Sequence, residues 1–278
     1  MIALAPDDPR YPMALRDLVS PPARLWVLGQ PVWLGRPCVA IVGTRRMSPY
    51  GERIARELAD ALSRAGAVVV SGLAQGIDCA GHAAALDAGG PSVAVLGEGI
   101  TAFLANARGR RRRLAEALAR VGALVSPYEP VRPAQGWMFA KRNALIAALS
   151  SVVVVVEAPP DSGALITAAD ARRLGKRLFA VPGPLGARTS EGTNALIGSG
   201  AAETCLGPAE VAAALGLSGV TTVSGADPIL EALAAGPADL DGLARRIGLE
   251  RPILRARLVR LILEGAVIDR GDGRYARS

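Results

Sequence analysis

One histidine, three cysteines, two lysines and ten aromatic residues are spread over 278 positions. Each scarcity excludes something. Cys38, Cys79 and Cys205 are isolated from one another, so they outline no disulfide framework. With His82 as the sole imidazole, no zinc site can be drawn at recognisable ligand spacings. No purely aliphatic run, the five valines at 152–156 included, exceeds six residues, far short of the ~20 residues that span a bilayer. The opening MIALAPDDPRYP has neither a basic region nor a long apolar stretch, so no signal peptide is read there and a cytoplasmic protein is expected.

What is present is a globular composition. Half of the residues are hydrophobic, and the length allows one or two domains. The net charge of +7 points toward a polyanionic partner. Arginine supplies 30 of the 32 basic residues, so arginine-rich codon usage accounts for part of the excess. The placement of the charge therefore says more than its sum.

After a short strand at 25–28, apolar runs at 39–42, 68–70, 93–96, 123–125, 152–156 and 178–181 alternate with helical patterns. Runs that are apolar at every position suit strands covered on both faces. One helix is predicted to start at Pro49 with Ser48 as its N-cap, and Ile54, Leu58, Ala61, Leu62 and Ala65 share one of its faces. This order predicts an α/β fold: a Rossmann-like, doubly wound, mostly parallel sheet over residues 38–216, with residues 1–37 as a lead-in packed on it. Residues 217–227 read as a linker. Helical patterns at 228–235, 240–247 and 251–264, then a hairpin around Gly271-Asp272-Gly273, predict a small winged-helix domain over 228–278.

In an open parallel sheet, ligands bind beyond the carboxyl ends of the strands. The turns predicted there are Gly43-Thr44-Arg45, Ser71-Gly72, Gly97-Glu98-Gly99, Glu157 followed by Ser162-Gly163 and Thr167, and Pro182-Gly183. Glycines let backbone N–H groups approach a ligand, and hydroxyls and helix N-termini add donors suited to phosphate. A dinucleotide is disfavoured. The first turn reads GTRRMS instead of G-x-G-x-x-G, and Ser71 stands where a ribose-binding acid belongs. The forked guanidinium of Arg45 suits a phosphate diester crossing an open mouth.

A second basic element runs Trp137-Met138-Phe139-Ala140-Lys141-Arg142-Asn143. Aromatic faces for bases beside cations for phosphates are what a single nucleic-acid strand requires, although Trp137 and Phe139 read equally well as core. The arginine-rich run 108–113 reads as the solvated first turn of a surface helix, and His82 as a packing residue. Glu98, Asp78 and Glu157 have the chemistry of general acids, but no nucleophile and base stand at a matching spacing.

IVGTR, YG, SGLAQGID followed by His82 and Ala85-Leu86, RNALIAAL, VVVVVEA, SGALIT and VPGPLG together resemble the DNA processing protein A family (DprA, also called Smf). YPMAL and LWVLG in the lead-in do so as well, and the resemblance covers about residues 9–205. It implies a Rossmann-like domain that binds single-stranded DNA, protects incoming DNA during natural transformation and helps load the RecA recombinase. It also implies a homodimer without catalytic activity; no metal or cofactor is expected.

The resemblance carries over Gly43, Thr44, Arg45, Ser71, Gly72, Arg142 and Asn143 as a phosphate pocket. Ser162, Gly163 and Thr167 form a further motif, and Phe139 and Lys141 complete the expected DNA contacts. The chain departs from the family pattern at Pro127, Ala140 and Ala144 and in the stretch ITAFLANARG after Gly99. Those departures imply an altered pocket edge, with Lys141 replacing lost charge.

Two other classes compete. A nucleotide N-glycosidase of the LOG type, built on a similar sheet, would carry PGGxGT; the related place reads SGALIT and the later turn PGPLG. A winged-helix transcription factor would concentrate charge in the tail. Residues 226–278 hold nine arginines against eight acidic residues, a net charge of +1, and Arg257 and Arg260 share a predicted face with Glu264. Six of the seven net charges therefore lie earlier in the chain. DNA binding is expected there, salt-sensitive and nearly independent of base sequence.

Overall fold

Within residues 1–218, every apolar run read as a strand forms one, and two further strands come from segments the pattern did not single out. The computed structural model describes residues 1–218, 228–248, 251–263 and 265–277. Its first part runs β1 (Ile2–Leu4), β2 (Leu25–Gly29), β3 (Cys38–Val42), α1 (Pro49–Arg64), β4 (Val68–Ser71), α2 (Ile77–Asp87), β5 (Ser92–Val95), α3 (Ile100–Asn106), α4 (Gly109–Val121) and β6 (Ala123–Ser126). It continues with α5 (Gly136–Leu149), β7 (Val152–Val155), α6 (Gly163–Arg173), β8 (Arg177–Ala180), α7 (Arg188–Gly198), β9 (Glu203–Thr204) and α8 (Pro208–Ala214). Short β1 and β9 are the two additions.

The nine strands form one sheet in the order β1-β2-β6-β5-β4-β3-β7-β8-β9. Neighbours from β6 through to β9 are parallel. The lead-in does more than pack on this sheet: β2 pairs antiparallel with β6, and β1 with β2. From β3 the chain builds outward to β4, then returns to place β7 on the other side of β3. The strand order reverses between β3 and β7, and a reversal of this kind opens a crevice at the carboxyl ends of the strands.

Period-two alternation fills a core on each face. Val39, Ile41, Val69, Val152 and Val154 pack with α1, whereas Ala40, Val42, Val70, Val153 and Val155 pack with α5 and α6. Full burial of each such valine contributes about 1.5–3 kcal/mol, which is why no polar residue interrupts these runs. Ser48 caps α1, its Oγ accepting the Gly51 N–H at 3.1 Å, with Pro49 at the first helical position. The buried stripe of α1 is centred on Ala55, Leu58, Ala59 and Leu62, with Ile54 and Ala61 at its margin.

The chain divides into two compact units, Met1–Thr221 and Thr222–Ser278. Of the predicted linker, residues 219–227 lie outside the described residues, and Leu217 still packs against the core around α1. The second unit contains α9 (Pro228–Ala234), β10 (Ala238–Asp239), α10 (Leu240–Ile247), α11 (Arg251–Leu263), β11 (Val267–Asp269) and β12 (Arg274–Arg277). Its sheet has the antiparallel order β10-β12-β11. Asp239 caps α10 through the Gly242 N–H at 2.7 Å, and Gly248 ends the helix at φ 73°, a left-handed conformation that suits glycine. Ile229, Leu233, Leu243, Leu254 and Leu258 form a core of its own. The side chains of Arg257 and Arg260, and Glu264, lie outside the described residues.

Candidate functional site

A cavity of about 630 Å³ opens where the strand order reverses. The turn after β3 forms one wall, and its shape depends on Gly43. A Cβ there would lie 2.6 Å from Ile77 Cγ1 and 2.8 Å from the Glu157 carbonyl oxygen. The Thr44 N–H donates to that carbonyl at 2.7 Å, the Thr44 carbonyl accepts from Ile77 N–H at 3.3 Å, and Thr44 Oγ1 accepts the Arg46 N–H at 3.2 Å. With every polar group of Thr44 engaged, the turn is braced and Arg45 and Arg46 project from it into solvent.

Glu157 belongs to this brace. It is buried, and its carboxylate accepts the Ser48 N–H at 2.9 Å and the Ser48 hydroxyl at 2.5 Å. Gly51 admits it, since a Cβ there would sit 2.2 Å from Glu157 Oε2. A carboxylate at the start of α1 complements the helix dipole. Among the sequence-level candidates for a general acid, Glu157 is therefore a helix-capping residue.

Three guanidinium groups converge beside this turn. The Arg45 and Arg142 guanidinium carbons lie 6.0 and 5.9 Å from the centroid of the Phe139 ring, within cation–π range. Arg142 is 5% exposed. Its Nη1 donates to the Gly72 carbonyl at 2.6 Å and to the Val95 carbonyl, and its Nε donates to Asn143 Oδ1 at 3.2 Å. Burial lowers its pKa to about 10; Asp78 opposes that shift, and Arg45 and Arg111 reinforce it by repulsion. Arg142 still carries its charge at neutral pH. A cluster of mutually repelling cations at the mouth of a cleft is a site that an anion relieves.

The opposite wall is the start of α6. Ser162 caps it by accepting the Ala164 N–H at 3.2 Å, and Gly163 and buried Thr167 line the cavity. Asn143 Nδ2 donates to the Gly163 carbonyl at 3.1 Å, tying α5 to α6. An 11-residue helix opening into the cavity adds its N-terminal dipole to the positive field.

The fold gives three expected contacts other roles. Ser71 is fully buried and donates its hydroxyl to the Ile41 carbonyl at 2.7 Å, so it does not reach the cavity. Gly72 donates its N–H to Asp78 at 3.0 Å and accepts from Arg142; it makes space, because a Cβ there would lie 2.4 Å from Arg142 Nη1. Lys141 is exposed on α5 and is absent from the cavity lining, which takes Ala140 and Arg142 on either side of it. Trp137 is largely exposed and meets Tyr128 edge-on at 6.0 Å. His82 is fully buried with Nδ1 2.7 Å from Ser92 Oγ, a packing role.

Three cations at the site were missed by the sequence reading, one of them, Arg188, being paired with Asp161 at 3.0 Å. Arg46 lines the cavity next to Arg45. Arg111 belongs to the arginine-rich run, yet its Nε donates to the Leu73 carbonyl at 2.9 Å and its guanidinium lies 4.7 Å from the Phe103 ring centroid. Spacing along the chain carries no sign of this contact; the strand order alone brings α4 beside the loop after β4.

Comparison with known proteins identifies the family. The chain is 40% identical over 219 residues to Protein Smf of Synechocystis, covering 77% of this chain and 54% of that protein. It spans about half the length of this and a second curated relative, Protein Smf of Escherichia coli. Among solved structures, DNA processing protein A from Streptococcus pneumoniae superposes with a TM-score of 0.72 at 34% identity, covering 76% of this chain and 73% of that one. The same protein from Helicobacter pylori, described for its single-stranded DNA binding mode, superposes at 0.66 with 31% identity, covering 73% of this chain and 92% of that one. Residues 3–216 match the family model for DNA recombination-mediator protein A, and the chain belongs to that family.

Proposed function

We propose that this chain binds single-stranded DNA across the carboxyl edge of its parallel sheet, protects it, and assists the loading of a RecA recombinase during transformation or recombination. The observation that carries the binding reading is the convergence of Arg45 and Arg142 on Phe139, with Arg111 lining the adjoining recess. Charge for phosphates beside an aromatic face for bases is the recognition chemistry of single strands. Arg45, Arg46 and the α6 N-terminus at Ser162 and Gly163 take phosphates. Phe139 offers a stacking face, while Arg142 and Asn143 hold the walls together and present the remaining charge. Gly43 and Thr44 shape the turn. Family membership supports the recombination role, a cytoplasmic location and a homodimeric state, and no catalytic step is assigned to the chain. We read the second unit as a winged-helix module.

The deciding experiment is anisotropy titration of labelled single- and double-stranded oligonucleotides at two salt concentrations. Single strands are expected to bind more tightly, with log K falling by about 0.7 per phosphate contact for each decade of salt. Equal binding of duplex, or a flat salt response, contradicts the reading. Delivery of RecA onto a single strand already coated by a single-strand-binding protein tests the loading role.

A further inference from the structure

Beside the larger cavity lies a second recess of about 160 Å³. It shares Arg45, Phe139 and Arg142 with its neighbour and adds Glu98, Phe103 and Arg111. The volume equals about five waters at ~30 Å³ each, room for one planar ring system without its sugar and phosphate.

The chemical difference from the larger cavity that matters most is Glu98. Glu98 is 9% exposed, and its carboxylate has no hydrogen bond or ion pair among the described residues. The acids of the larger cavity are committed. Asp78 accepts the Gly72 and Ala74 N–H groups at 3.0 and 3.3 Å, and Asp161 pairs with Arg188 at 3.0 Å. An uncommitted carboxylate repels phosphate and calls for N–H donors.

Glu98 and Arg111 are both held in place. The Glu98 carbonyl accepts the Ser126 hydroxyl at 2.7 Å. Its flanking glycines pack too closely for side chains: a Cβ on Gly97 would lie 2.6 Å from Phe139 Cδ1, and one on Gly99 2.2 Å from the Glu129 carbonyl oxygen. Arg111 is anchored through Nε to Leu73, and its two terminal amino groups have no hydrogen-bond partner among the described residues.

Resting on the single-strand reading above, we propose that this recess takes one nucleobase of the bound strand and favours guanine. Guanine presents two adjacent donors, N1–H and the 2-amino group, which a carboxylate accepts together, and O6 beside them accepts from Arg111. Adenine and cytosine each offer one amino group next to an unprotonated ring nitrogen that a carboxylate repels. Thymine offers one N–H between two carbonyls. Phe139 covers the face of the base. The larger cavity grips phosphates without regard to sequence, and the recess adds a preference at one position.

The test uses the full chain and thymidine oligonucleotides carrying one central guanosine, inosine, adenosine or cytidine. A bidentate base contact provides at least about fivefold discrimination, so the guanosine oligonucleotide is expected to bind at least about fivefold more tightly than the all-thymidine one. Inosine keeps N1–H and O6 but lacks the 2-amino group, and is expected to lose most of that gain. In Glu98→Gln the guanosine-to-inosine ratio is expected to fall to about one. Intact single-strand binding with equal affinity for all the oligonucleotides overturns the recess, as does an unchanged ratio in Glu98→Gln. If that variant does not fold, the inosine comparison on the native chain decides. Failure to bind any single strand overturns the underlying reading instead.

Discussion

Arg45 and Arg142 sit at the same distance from Phe139 and differ in what holds them. Arg45 is exposed, with no hydrogen-bond or ion-pair partner among the described residues, so its removal leaves nothing buried unpaired. Arg45→Ala is expected to weaken single-strand binding by about 1.5–3 kcal/mol, the worth of a charge-assisted contact, with melting unchanged. Unchanged affinity in a folded variant removes Arg45 from the site. Arg142, in contrast, bonds two carbonyls, one in the turn after β4 and one at the end of β5, and its loss is a fold defect as much as a binding one. The sequence identified both arginines, but nothing in it distinguishes an exposed contact from a buried clamp. His82 gives a second prediction at this scale. Burial lowers its pKa from 6.5 to about 3. The unfolded chain therefore binds a proton that the folded chain refuses, and stability present above pH 6.5 is lost as pH falls from 6.5 toward 3. As this is the sole histidine, its imidazole signals in NMR are unambiguous. They are expected to remain in the neutral position at pH 5; titration near 6.5 contradicts a buried, uncharged ring. Burial raises the pKa of Asp78, Glu98 and Asp170, which acts in the opposite sense: their contribution is present in acid and is lost as pH rises.

The turn after β3 and the start of α1 form one element although their parts are far apart in the chain. Ser48 and the Glu157 that holds it are 109 residues apart. Local signals predicted the cap, because Ser48 before Pro49 is a helix start on its own. They did not predict the carboxylate beneath it, because only the strand reversal brings β7 next to β3. The same limit explains the rest of what was missed. Central strands were legible because both faces are buried and every position is apolar. β1 and β9 are two or three residues long and owe their existence to the partners they pair with. The site followed the same division: turns at strand ends were legible, whereas Arg111, Ser71 and Gly72 acquire their roles from neighbours distant in sequence. Glu157→Ala removes two hydrogen bonds to Ser48 and is expected to cost about 1–3 kcal/mol, read as a lower Tm. An unchanged Tm shows that Ser48 alone secures the helix.

For the whole molecule, charge and core divide in the same way. The first unit carries the sheet, the cavity and six of the seven net charges; the second has a separate core and a net charge of +1. A domain with its own packed interior can be removed without opening the other, and one with little net charge has little electrostatic attraction for a polyanion. A chain ending at residue 218 is therefore expected to fold and to keep most of its single-strand affinity, with the salt dependence of the full chain. The separate tail is expected to bind duplex weakly, and we assign it to contacts with protein, a second copy of this chain or a recombination factor. Anisotropy titration of the two pieces against the intact chain decides between the placements. Submicromolar duplex binding by the tail in physiological salt, or a folded first unit that has lost single-strand binding, moves the DNA site out of the sheet edge and into the smaller unit.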